Sequence, residues 1–247
     1  MWKLIYQLAS PKSFYALAGR CLPYFATTCG LFLLLGLGWG LFFAPADYQQ
    51  GDAFRIIYVH VPCAFLSMAI YASMGFLSVL LLIWRIKVAG LLLGACARAG
   101  ACMAFLALIT GSLWGKPMWG AWWVWDARLT SELILLFLYM GILALKQANP
   151  EQEASDKMIA ILCLVGLLDL PIIHYSVYWW NTLHQGATLS LLSKPKIDSS
   201  MLYPLLLSII GFSFYCLSTI LFKARAELLF RERQQQWVRH IVQGRAS

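Results

Sequence analysis

Between Leu113 and Arg128 the chain reads WGKPMWGAWWVWDA, residues 114–127. Five of the protein's eleven tryptophans stand in this stretch, and a carboxylate, Asp126, nearly closes it. It forms a polar break between two runs, about 91–113 and 128–146, each long and apolar enough to cross a bilayer, which takes roughly 20 residues. Four similar runs lie at about 22–43, 61–84, 157–175 and 202–222. The 247 residues are 61% hydrophobic and 12% charged, whereas a soluble domain carries roughly a quarter charged residues. These features predict an all-α, polytopic membrane protein with six transmembrane helices. Residues 1–222 form one membrane domain, with the Trp-rich loop at 114–127, and 223–247 form a basic tail.

The first run ends in Phe43-Ala44-Pro45-Ala46, which mimics a signal-peptide cleavage site. Its apolar part exceeds the 7–15 residues or so of a signal core, so it reads as a retained span. With the N-terminus inside, that side holds Lys3, Lys12, Arg20, Arg85, Lys87, Arg98, Lys146, Lys157, Lys223, Arg225, Arg231, Arg233, Arg239 and Arg245. The outer loops hold Arg55, Lys116, Arg128, Lys194 and Lys196. The positive-inside rule then places both termini in the cytoplasm. Spread across loops in this way, the net charge of +8 does not point to nucleic acid. The tail from Lys223 to Arg245 reads as a helix on the cytoplasmic membrane surface, serving as an anchor. The seven cysteines lie in or beside apolar runs without C-x-x-C spacing. They indicate neither a disulfide framework nor a zinc site.

This topology brings three outer loops together, about 44–60, 114–127 and 176–201. His60 closes the first, and Trp179, Trp180 and His184 lie in the third. Two histidines and seven tryptophans therefore share one face. Paired imidazoles complete the axial coordination of a haem iron, and indole faces cover a porphyrin plane. Arg55, Lys116 and Arg128 are the cations available to two propionates. Each feature also has a blander reading. Tryptophan is enriched at membrane interfaces, which accounts well for Trp179 and Trp180, but poorly for four tryptophans in seven residues. A lone interfacial histidine is more often structural than a ligand. His174, at the outer end of span five, competes with His60 and His184. His240 falls in the tail and is discounted.

Asp126 suits a helix N-cap, and Arg128 and Glu132 have the spacing of an ion pair on one helix face. Asp169 lies within span five, two residues before Pro171. It either faces the bundle interior as a functional group or bonds backbone groups freed by the proline. Snorkelling accounts for Arg98.

The motif Trp-Gly-x-x-Trp-x-Trp-Asp, here Trp119, Gly120, Trp123, Trp125 and Asp126, resembles the signature of the haem-handling family of cytochrome c maturation. The stretches at 43–51 (FAPADYQQG), 58–62 (YVHVP), 125–132 (WDARLTSE) and 170–176 (LPIIHYS) extend the likeness to the six-span branch called CcmC. The resemblance implies haem b held at the periplasmic face of a bacterial inner membrane, with His60 and His184 as axial ligands. Trp114, Trp119, Gly120, Trp122, Trp123, Trp125 and Asp126 would form its platform. It implies delivery to the periplasmic haem chaperone CcmE, alongside the ABC-type subunits CcmA and CcmB and the small membrane subunit CcmD. No catalytic nucleophile is implied. A redox subunit resembling a b-type cytochrome is the main alternative, although such proteins set paired histidines deeper in the bilayer. A transporter subunit is another; the chain carries no P-loop, so a partner would handle any ATP. A pure scaffold would leave the tryptophan cluster unexplained.

Overall fold

The computed structural model describes residues 10–149, 151–184, 186 and 197–243. Lys3, Arg245 and, within the third loop, Lys194 and Lys196 lie outside them. Six helical stretches are long and apolar enough to cross a membrane, as the sequence predicts, so the chain is a multi-pass membrane protein. No β-strand occurs among the described residues; Asp47 and Gly51 make one isolated bridge. Helices dominate because the bilayer offers no water to the backbone, and a helix satisfies its N–H and C=O groups within itself.

Helix α1 (Pro11–Gly38) ends in a π-helical turn, Trp39–Phe43. A short loop and a 3-10 turn (Asp52–Ile56) lead into α2 (Ile57–Trp84), and α3 (Lys87–Trp119) returns antiparallel. Helix α4 (Ala127–Ala148) crosses next. The fifth crossing is two helices, α5 (Gln152–Gly166) and α6 (Asp169–Trp179). The last, α7 (Ser199–Arg231), precedes a short α8 (Gln236–Val242). Helices α2 and α3 form the centre. The α4–α5–α6 group packs on one side of them and α7 on the other, with α1 outside α7.

Local chemistry explains the departures from a plain six-run reading. Pro171 has no N–H to give to Leu167, and its ring excludes the carbonyl of a regular turn there. The chain tightens into i→i+3 bonds, from Leu168 N–H to Val165 O and from Leu170 N–H to Leu167 O. Gly166 stands under the Tyr71 hydroxyl, where a side chain would collide. Helix α3 continues past the expected limit at 113 to Trp119. Gly120 then ends it in the left-handed conformation (φ 74°), returning its N–H to Lys116 O. The non-helical break is therefore 120–126, and Trp114, Lys116 and Trp119 ride on the last turns of α3. At the other extreme, α7 runs beyond 222. Its Arg231 grips Asp156 of α5 through both terminal nitrogens (2.6 and 3.0 Å). Glu227 pairs with Lys146 of α4 at 3.3 Å.

Helix α1 touches the rest mainly through α7, and glycine sets the distance. A Cβ on Gly36 would lie 2.5 Å from Ser208 N, and one on Gly211 would lie 2.8 Å from Leu33 N. Such small-residue contacts let membrane helices approach closely where no hydrophobic force drives them together. Gly36→Leu is therefore expected to push the helices apart and cost about 1–3 kcal/mol, read as a lower thermal unfolding temperature in detergent. Gly38→Leu, with no neighbour within 4 Å, is the control. Equal losses in the two variants would refute this account of the packing.

Candidate functional site

The helix ends near Ile57, Trp119, Ala127 and Trp179 meet at one end of the bundle, and the loops there build the site. Residues 44–51 are folded by Asp47. Its backbone exchanges bonds with Gly51 (Asp47 N–H to Gly51 O 3.2 Å, Gly51 N–H to Asp47 O 2.8 Å). Its carboxylate accepts the N–H groups of Gln49 and Gln50. Gly51 has a φ of 58°, which a residue without Cβ adopts at least cost. The loop docks on α3 through Trp114, whose indole N–H donates to Gln50 Oε1 at 2.8 Å.

Behind this loop is a cavity of about 320 Å³, lined by residues that include Gln50, His60, Gly111, Trp114, Trp119 and His184. That volume is near the lower end of small-molecule sites, roughly 300–1,000 Å³. His60 sits one turn into α2. Its Nδ1 lies 3.0 Å from Thr110 Oγ1, and its ring meets the Trp114 ring edge-on, with centroids 5.6 Å apart. His184 comes from the segment after α6, where its backbone N–H donates to Thr182 Oγ1. The His184 ring packs on Trp119 at 5.1 Å between centroids. Below lies a smaller recess of about 30 Å³, lined by the same two histidines together with Arg128 and Glu132.

Asp126 joins the loop to the site. It caps α4, as the sequence predicts, by accepting Leu129 N–H at 2.8 Å. Its other oxygen lies 3.8 Å from His184 Nδ1, too far for a hydrogen bond. Neither atom has a hydrogen-bond partner among the described residues. Burial pushes the Asp126 carboxyl up, but His184, the Leu129 N–H and Thr182 outweigh it and hold it below its ordinary value.

The other expected site residues divide. Trp122 and Trp125 are exposed on the loop surface, and Trp123 packs edge-on against Trp125. Lys116 donates to Gly120 O and lies over the Trp122 ring. Arg55 is engaged in joining segments: it donates to Asp52 and to the carbonyls of Gly40 and Leu41. Arg128 is the one of the three cations that lines the histidine recess, and it donates to Ile173 O. The pair expected between Arg128 and Glu132 gives way to partners on neighbouring helices, since Glu132 accepts from Ser67 of α2 at 2.8 Å. His174 packs on Tyr175, and Trp179 and Trp180 on each other, away from the cavity lining. Asp169 is buried, and its Oδ2 has no hydrogen-bond partner among the described residues. Sequence reasoning missed Gln50, Thr110, Gly111 and Thr182. Thr110 and Gly111 lie inside an apolar run, where only packing reveals them.

The fold and this end of the bundle define a multi-pass membrane protein with a pocket of two histidines and two indoles between its helix ends. Residues 4–239 match the family described as heme exporter protein C. Relatives of that name include one from Haemophilus influenzae, 50% identical over 243 residues, 98% of this chain and 99% of the relative. Another, from Escherichia coli K12, is 49% identical over 242 residues, 98% of each chain. One from Bradyrhizobium diazoefficiens is 45% identical over 224 residues, 91% of this chain and 85% of the relative. The chain belongs to the heme exporter protein C family.

The lowered Asp126 pKa predicts a pH dependence. A carboxyl depressed in the folded state stabilises above its unfolded pKa, about 4, and that contribution fades as pH falls through the lower folded value. Thermal unfolding in detergent between about pH 5 and pH 3 should show this loss in the parent. The Asp126-dependent part should be absent from Asp126→Asn. Parallel curves for the two proteins would remove Asp126 from the account.

Proposed function

We propose that this protein binds haem b at the outer face of a bacterial inner membrane and presents it to the haem chaperone CcmE for c-type cytochrome assembly. The observation that carries this reading is that His60 and His184, far apart in sequence, line one cavity walled by Trp114 and Trp119. The names of the relatives, heme exporter protein C, support haem as the cargo. Orientation follows from charge. Among the described residues, Lys12, Arg20, Arg85, Lys87, Lys146, Lys157, Lys223, Arg225, Arg231, Arg233 and Arg239 gather toward the end opposite the cavity, which the positive-inside rule makes cytoplasmic.

The residues divide the work. His60 and His184 would supply the two imidazole ligands to iron, and the Asp126 carboxylate stands behind the His184 ring, 3.8 Å from its Nδ1. Trp114 and Trp119 exclude water beside the ring. Arg128, which lines the recess below the histidines, is the proposed partner of a propionate. A pocket of this size would enclose part of a macrocycle. Exposed Trp122 and Trp125 then offer an apolar landing for the chaperone. CcmA, CcmB and CcmD are the proposed membrane partners, and any ATP is handled by the ABC-type subunits.

The test is the absorption spectrum of the purified protein beside His60→Ala and His184→Ala. The parent is expected to hold low-spin haem. Each single variant should lose the low-spin band, and the double variant should neither hold haem nor load the chaperone. Undiminished haem and chaperone loading in the double variant would overturn the ligand assignment.

A further inference from the structure

Helix α3 grips the His60 ring through consecutive residues. Thr110 Oγ1 stands 3.0 Å from His60 Nδ1. A Cβ on Gly111 would lie 3.1 Å from His60 Cε1, so the bare backbone there admits the ring. One turn on, Trp114 closes against the ring edge. Thr110 is held in turn by its own helix, with its Oγ1 2.6 Å from Leu106 O and 3.2 Å from Ala107 O.

These distances decide which imidazole nitrogen carries the proton. A threonine hydroxyl has one proton to give and two lone pairs to accept with. Two oxygens 2.6 Å apart need a proton between them, and a backbone carbonyl has none. The Thr110 proton therefore goes to the backbone, and toward His60 the hydroxyl can only accept. His60 Nδ1 must then be the N–H, which leaves Nε2 with a free lone pair. A histidine whose second nitrogen is anchored in this way is oriented and primed as a metal ligand.

We infer that Thr110 is a positioning residue for the haem site: its hydroxyl fixes the His60 tautomer and ring angle so that Nε2 is presented to iron. This rests on the reading of His60 as an axial ligand. It also makes the two ligands unequal, since His60 is backed by a neutral hydroxyl and His184 by the carboxylate of Asp126.

The test uses full-length protein purified with haem, comparing Thr110→Val, which keeps the shape and removes the acceptor, with Thr110→Ser, which keeps the acceptor. Low-spin fraction and the rate of haem loss to excess apomyoglobin are measured. Thr110→Val is expected to lose haem about 10–100-fold faster and to show a high-spin fraction that added imidazole converts back to low-spin. Thr110→Ser should recover most of the low-spin band. A Thr110→Val protein with the parental spectrum and rate of haem loss would overturn the inference, as would equal defects in the Val and Ser variants. Failure of the underlying reading shows separately, as a parent without low-spin haem or a His60→Ala variant that keeps it, and the inference then falls with it.

Discussion

A line of small residues along α3 is the constraint on which the rest depends. Gly90, Gly94, Ala97, Gly100, Ala104, Ala107, Gly111 and Gly115 recur at helical spacing. Where a side chain is missing, a neighbour moves in: Asp156 at Gly90, Lys146 at Gly94, Tyr139 at Gly100, His60 at Gly111 and Trp119 at Gly115. Between lipid-bathed helices the gain comes from close contact and hydrogen bonds rather than from escape from water. One glycine-lined helix therefore sets the distances to α2, α4 and α5, and through them the shape of the cavity.

The same helix separates two kinds of polar chemistry. At one end, Arg231, Glu227, Asp156 and Lys146 form paired charges that tie α7 to α4 and α5. At the other, the polar groups hold a binding surface in place: Asp47 shapes the loop, Gln50 ties it to Trp114, and Asp126 caps α4 while facing His184. Between them, Ser67 donates to Glu132 and Tyr139 donates to Ser67 O. That buried network lies beneath the histidine recess and satisfies groups that hydrocarbon would leave unpaired.

Much of the fold was legible because hydropathy alone marks segments long enough to cross a bilayer, and because a carboxylate at the start of an apolar run is a helix cap. The limits of the helices were less legible. Trp114 and Trp119 flank Lys116 and Pro117 and read as loop, yet Gly120 ends α3. The division of span five into α5 and α6 was signalled by Pro171. Asp169 beside it is buried, which both of its readings allow. The pair drawn from the spacing of Arg128 and Glu132 does not form, because spacing along one helix says nothing about Ser67 and Ile173 on its neighbours.

The sequence by itself determined that this is a six-span membrane protein, and it assigned seven of the eleven tryptophans and two of the histidines to loops on one side. Those conclusions need only hydrophobic run length, charge asymmetry and the alternation of crossings. Tertiary structure decided which of the gathered residues meet. It placed His60, His184, Trp114 and Trp119 around one cavity, turned Arg55 to a structural task, left Trp179 and Trp180 outside the lining, and brought in Thr110 and Gly111. These outcomes depend on helix rotation and on distances of a few ångströms, set by where glycines let helices touch. A pattern read along one chain carries no such distances.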